Sequence, residues 1–237
     1  MKYIKPKDVV KFLPYNLIAA GIYANPYLIP LFGIFYFYRV RLILKIFKKI
    51  LTYKERIDIL EVGAGIGLFS LNFKKNFPKT NYYLADLIKK ENYQYLQKMY
   101  LNKFDIYLKV CSNIDIQKRT PFENQTFDLI FALDVLEHIF DPKSALNEIK
   151  RMLKKNGLFF ISVPSEALLV KYVRKVLNFL KKRDINPYHW QGLIRSEEDF
   201  FNLLIQENFK VLIKRKFPIN SFPRLFSYDI FYLVTKN

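Results

Sequence analysis

The stretch ILEVGAGIGLF at residues 59–69 sets three glycines, Gly63, Gly65 and Gly67, on alternate positions behind an apolar run. Alternating glycines weaken a strand, since each forfeits a side chain and adds backbone entropy, and a spacing of two has no helical period to serve. The pattern suits a tight turn at a strand end, where backbone N–H groups approach something that a side chain would hold away. A turn of that kind belongs to folds in which a strand feeds directly into a helix.

The rest of the chain agrees. From residue 57, strand-like and helix-like segments alternate: IDILEVG, then a helix at FSLNFKKNF; NYYLADL, then ENYQYLQKMYLN; DIYLKVC; FDLIFAL, then PKSALNEIKRMLKKN; and GLFFISVP. Pro142 fits a helical first turn and Gly157 a helical stop. SEEDFFNLLIQEN reads as a helix with Ser196 as its N-cap and acids in its first turn. FKVLIKRKF and SYDIFYLVTKN close the chain with no helix between them, so they pair antiparallel. The expected fold class is α/β: a Rossmann-like, doubly wound, mostly parallel seven-stranded sheet with an antiparallel C-terminal edge strand.

Before this domain, assigned to 53–237, lies a different segment, 1–52. Residues 12–38 contain no charged side chain, long enough to cross a bilayer. Pro14, Pro26, Pro30, Asn16 and Asn25 argue against one clean spanning helix. YRVRLILKIFKKIL, residues 38–51, sets Arg41, Lys45, Lys48 and Lys49 against Val40, Ile43, Ile46, Phe47 and Ile50 on a helical wheel. Such a helix either covers a sheet edge or lies on an anionic membrane. A second basic amphipathic helix is expected at 166–183, within an insertion at about 165–195.

With 39 Lys+Arg against 21 Asp+Glu, the formal charge is +18. The excess favours anionic partners or reflects lysine-rich, solvated surfaces. One cysteine excludes an internal disulfide and suits a reducing compartment, and two histidines without neighbouring cysteines point away from a metal site.

Ligands of a doubly wound sheet bind beyond the carboxyl ends of its strands. A dinucleotide fingerprint counted from Gly63 needs its third glycine at position 68, which is Leu68. Glu61 and the three glycines spell E-x-G-x-G-x-G instead. Together with Asp86 in YYLADL, Asp115-Ile116 after the third strand, and FDLIFALDVLEHIFDP…ALNEIKRMLKKNGLFFISVP, this order of motifs resembles the class I S-adenosylmethionine-dependent methyltransferases. The likeness is to the small-molecule and quinone-type members, and it spans roughly residues 55–237.

The resemblance implies S-adenosylmethionine as cofactor, with no metal. It implies that Glu61, Gly63, Ala64, Gly65 and Gly67 wrap the amino-acid and ribose parts. Asp86, followed by Leu87, would hold both ribose hydroxyls. Asp115 and Ile116 would meet the adenine, Asn113 being a rival there, and Leu133 and Asp134 would flank the methionine portion. His138, beside Glu137, is the candidate general base for a protonated acceptor, or else it only fixes its loop. His189, between Tyr188 and Trp190, either serves catalysis or packs in an aromatic cluster. ALDVLEH replaces the Asn/Asp-Pro-Pro-aromatic motif of amino-methylating DNA enzymes, so DNA is not expected as a partner.

The expected function is methyl transfer to a small-molecule or lipid-linked acceptor, cytoplasmic and peripheral at the inner membrane face. The alternatives are an RNA-modifying methyltransferase and a non-catalytic relative that binds the cofactor.

Overall fold

The computed structural model describes residues 3–14, 30–51, 56–164, 196–217 and 229–236. The basic helix expected at 166–183 and the residues His189, Tyr188 and Trp190 lie outside these, as does most of the charge-free run. Seven strands, in the order β3-β2-β1-β4-β5-β7-β6, form one mixed sheet, the class that the alternating pattern predicts. The chain divides into two compact units, residues 1–115 and 116–237.

In the first unit, helix α1 (Pro6–Val10) and helix α2 (Pro30–Ile50) precede β1 (Asp58–Val62), α3 (Leu68–Asn76), β2 (Asn81–Ala85), α4 (Lys90–Phe104) and β3 (Lys109–Cys111). β1 pairs in parallel with β2, and β2 with β3. The apolar side of α2 is consumed by packing: Val40, Ile43, Leu44 and Phe47 are buried, and Phe47 meets Phe73 of α3 edge-on at 5.8 Å. Arg41, Lys45, Lys48 and Lys49 face solvent. Among the described residues no helix is long and apolar enough to cross a membrane.

The segment around α1 is tied down by an amide clasp. Ile4 N–H donates to Asn72 Oδ1 at 2.8 Å, and Asn72 Nδ2 returns bonds to the carbonyls of Ile4 and Leu68. Val9, Val10 and Leu13 are buried behind it, and the Tyr95 hydroxyl donates to the Phe12 carbonyl at 2.6 Å.

The strand expected at DIYLKVC is shorter than its pattern suggests. Asp105 adopts φ 53 and caps α4, its N–H reaching the Leu101 carbonyl, while Ile106 N–H reaches Tyr100. This left-handed C-cap satisfies carbonyls at the helix end, and it removes Asp105–Leu108 from the sheet.

The second unit holds β4 (Phe127–Leu133), the 3₁₀ turn Leu136–His138, α5 (Pro142–Met152), β5 (Leu153–Pro164), α6 (Glu197–Gln206), β6 (Phe209–Phe217) and β7 (Asp229–Lys236). β4 and β5 are parallel, whereas β7 runs antiparallel to both neighbours and inserts between β5 and β6, leaving β6 outermost.

The helix expected to run to Asn156 stops at Met152, because Leu153 turns extended (φ −74, ψ 134) and pairs with Phe127. Gly157 therefore lies within a strand. A Cβ there would come within 2.7 Å of the Leu153 side chain, so the glycine admits a neighbour of its own strand. Pro142 opens α5 behind the N-cap Asp141, whose carboxylate accepts from Ser144 N–H at 3.1 Å. Ser196 caps α6 as expected, accepting from Asp199 N–H at 3.1 Å.

Candidate active site

The glycine turn joins β1 to α3, and all three glycines adopt positive φ: 63° at Gly63, 53° at Gly65 and 68° at Gly67. The bend is closed by Gly67 N–H donating to the Ala64 carbonyl at 2.8 Å, and the buried Tyr100 hydroxyl donates to the Ile66 carbonyl. Gly67 is the N-cap of α3 and has no side chain to offer the first-turn N–H groups. That helix end can receive an anionic group such as a carboxylate.

Asp86 ends β2 opposite this turn. Gly65 N–H donates to its Oδ2 at 2.8 Å. Burial pushes the Asp86 carboxyl above the ordinary range, against the pull of backbone N–H groups of Gly65, Leu87 and Ile88. Two further bonds stitch the loop after β3 to this corner: Ile114 N–H to the Asp86 carbonyl at 2.9 Å and Asn113 N–H, from a residue at φ 56, to Ile88 at 3.2 Å. The structure thus gathers Gly63, Ala64, Gly65, Gly67 and Asp86 on one rim, with the loop leading to Asp115 bonded to it. Leu87 is 67% exposed beside them, an apolar side chain held toward solvent.

Behind the rim lies a buried polar group. Glu61, on β1, is 4% exposed; the hydroxyls of Ser70 on α3 and Tyr82 on β2 both donate to its Oε2, Tyr82 at 2.9 Å. Burial raises its pKa to about 7, with those two donors and the Arg39 guanidinium of α2 pulling the other way and Asp86 adding repulsion. Ser70, Tyr82 and Arg39 were missed by sequence reasoning. An acid inside an apolar strand signals that donors must exist, but nothing in FSLNFKKNF or NYYLADL says which side chains supply them.

The sign of this effect is definite. Between pH 4.5 and about 7 the folded chain keeps a proton on Glu61 that the unfolded chain has lost, so stability falls as pH rises through that window. The loss amounts to about 3 kcal/mol and is complete above the folded pKa. Glu61→Gln keeps an acceptor oxygen without the charge. Its stability relative to the parent chain is expected to rise by about 3 kcal/mol between pH 4 and pH 8 in urea unfolding. A difference that stays flat with pH would mean that Glu61 ionises as an ordinary surface acid.

In the second unit, β4 carries Leu133, half-buried, into Asp134, whose φ is 55°. Ser162 of β5 locks that residue: its hydroxyl donates to Asp134 Oδ1 at 2.8 Å, and its carbonyl accepts Asp134 N–H at 3.1 Å. Ser162 too was unforeseen, although the parallel register sets it beside Leu133. Ile116 is buried. In the 3₁₀ turn, His138 Nε2 stands 3.8 Å from an oxygen of the fully buried Glu137, with the imidazole 27% exposed. Among the described residues no cluster of His, Cys, Asp or Glu could hold a metal ion.

The donor set fits a nucleoside with an amino-acid tail: a carboxylate for a vicinal diol, a bend free of side chains, and an uncapped helix end. Comparison with known proteins agrees. The family profile described as "Methyltransferase domain" matches residues 34–215. An uncharacterized protein of Methanocaldococcus jannaschii is 33% identical over 57% of this chain and 51% of its own length. The mitochondrial ubiquinone biosynthesis O-methyltransferase of Dictyostelium discoideum is 23% identical over 61% of this chain and 47% of its own. The chain thus spans about half the length of these relatives. In fold it resembles the magnesium protoporphyrin IX methyltransferase of Synechocystis, solved with bound SAH, at TM-score 0.66 and 12% identity over 94% of this chain and 96% of that one.

Proposed function

We propose, from the premise that this chain belongs to the S-adenosylmethionine-dependent methyltransferase family, that it methylates a small-molecule or lipid-linked acceptor at the cytosolic face of a membrane. The observation that carries the cofactor half is the Asp86 carboxylate, fixed by Gly65 N–H at 2.8 Å at the mouth of a turn built from three positive-φ glycines.

In this reading Asp86 accepts hydrogen bonds from both ribose hydroxyls. Gly63, Ala64, Gly65 and Gly67 leave room for the ribose and the amino-acid tail, and Glu61 steadies the turn from behind. Leu87, Asp115 and Ile116 serve the adenine; Leu133 and Asp134 serve the methionine portion. When bound, S-adenosylmethionine supplies a methyl group on a positively charged sulfur that leaves readily. The chain's task is alignment and exclusion of water. For a hydroxyl or phenol acceptor, His138 takes the proton.

Similarity to a ubiquinone biosynthesis O-methyltransferase supports a small-molecule acceptor. The membrane clause is supported by the net charge of +18 and by the solvent-facing Arg41, Lys45, Lys48 and Lys49 of α2. With the apolar face of α2 packed inside, attachment through that helix is electrostatic, at about 1 kcal/mol per nearby cation.

Incubation with methyl-tritiated S-adenosylmethionine, a membrane lipid extract and total RNA separates the readings. Label is expected in the organic phase. Label in the RNA would replace this reading with the nucleic-acid one, and cofactor binding without transfer to either would favour a non-catalytic relative.

A further inference from the structure

Strand β6 lies at one edge of the sheet, and among the described residues its outer side has no strand beside it. Its register with β7 shifts between Val211 and Ile213, and the extra residue, Leu212, is 45% exposed and Ile213 39% exposed. A bulge of this kind re-aims side chains at a sheet edge.

Cross-strand partners share a face of the sheet. Lys214 pairs with Tyr232, and that face is covered by α6: Phe200 meets Tyr232 at 5.6 Å, and Glu197 holds the Lys214 ammonium at 3.0 Å. Lys210, Ile213 and Arg215, opposite Thr235, Leu233 and Phe231, occupy the other face. There Lys210 is exposed and Arg215 half-buried. Lysines alone would only blunt an edge against other strands. An exposed aliphatic pair between two cations does something else.

We propose that Lys210, Leu212, Ile213 and Arg215 form a docking surface for anionic phospholipid, the aliphatic pair entering the headgroup boundary and the two cations meeting phosphates. This rests on the membrane reading above. Charge selects the occupant. Edge-to-edge pairing of two copies would set Lys210, Arg215 and Lys216 against their own images in a chain of net charge +18, whereas an anionic bilayer gains from each of them.

The test is co-sedimentation of the full chain with vesicles of phosphatidylglycerol and phosphatidylcholine, and with phosphatidylcholine alone, at low salt. Titration with S-adenosylhomocysteine serves as the control for folding. The parent chain is expected to bind only the anionic vesicles. Arg215→Gln should lower partitioning about fivefold, and the double variant Leu212→Glu/Ile213→Glu about tenfold or more, with cofactor affinity unchanged. A parent chain that ignores anionic vesicles overturns the membrane reading and this surface together. A parent chain that binds while both variants bind equally well overturns the β6 surface alone. Equal binding to neutral vesicles removes the role given to the cations. A dimer in light scattering that the double variant dissociates would make the face an interface between copies instead.

Discussion

Asp86→Ala is expected to lower affinity for S-adenosylhomocysteine by about a hundredfold or more. A carboxylate accepting from a neutral donor contributes roughly 1.5–3 kcal/mol per bond, and the ribose offers it two. The substitution also releases Gly65 N–H from its 2.8 Å bond, so the turn loses the anchor that shapes it. Both effects act in the same direction, while the parallel pairing of β2 with β1 and β3 runs through the backbone and survives. Calorimetric titration of the variant, alongside a thermal melt to confirm folding, gives the result directly. Unchanged affinity would place the nucleoside elsewhere, and with it the whole assignment of Gly63 to Gly67.

The second large effect concerns stability. Gly67→Ala should cost about 3 kcal/mol in urea unfolding. Roughly 1–2 kcal/mol of this comes from the left-handed backbone at φ 68, which a Cβ disfavours. A further 1–3 kcal/mol or so comes from overpacking, because the new methyl carbon would lie 2.4 Å from Cδ2 of Leu84, a fully buried residue of β2. Adding Leu84→Ala separates the two sources. It removes the clash and leaves the backbone strain, so the double variant should be less unstable than the sum of the single ones by about 1 kcal/mol. Additive losses would mean that Leu84 swings aside freely and only the dihedral angle matters.

The parts of this molecule that could be read from its sequence are those set by neighbours in the chain. Glycines at positive φ, the first-turn Pro142, the N-cap Ser196, and strands such as FKVLIKRKF follow from local chemistry. The errors fell where a residue's state was chosen by distant packing. Leu153 left the helical pattern because Phe127 offered it a strand partner, and Asp105 abandoned a strand pattern to close α4. The site shows the same division. Glu61 and Asp86 stand out as acids at the ends of apolar runs. Ser70, Tyr82 and Ser162, which fix Glu61 and Asp134, are ordinary residues in ordinary patterns, and only the register of parallel strands and the pitch of α3 bring them into place.

The amide clasp between Ile4 and Asn72 bears on how this chain can be shortened. Trimming it to the alternating strand-and-helix portion would leave Asn72 with two broken bonds inside α3, the helix that springs from the glycine turn, and would remove the buried Val9, Val10 and Leu13 along with it. The opening residues act as a buttress for the corner built by the glycine turn. An expression design that discards them as a dispensable preface would trade a tidy boundary for a looser pocket.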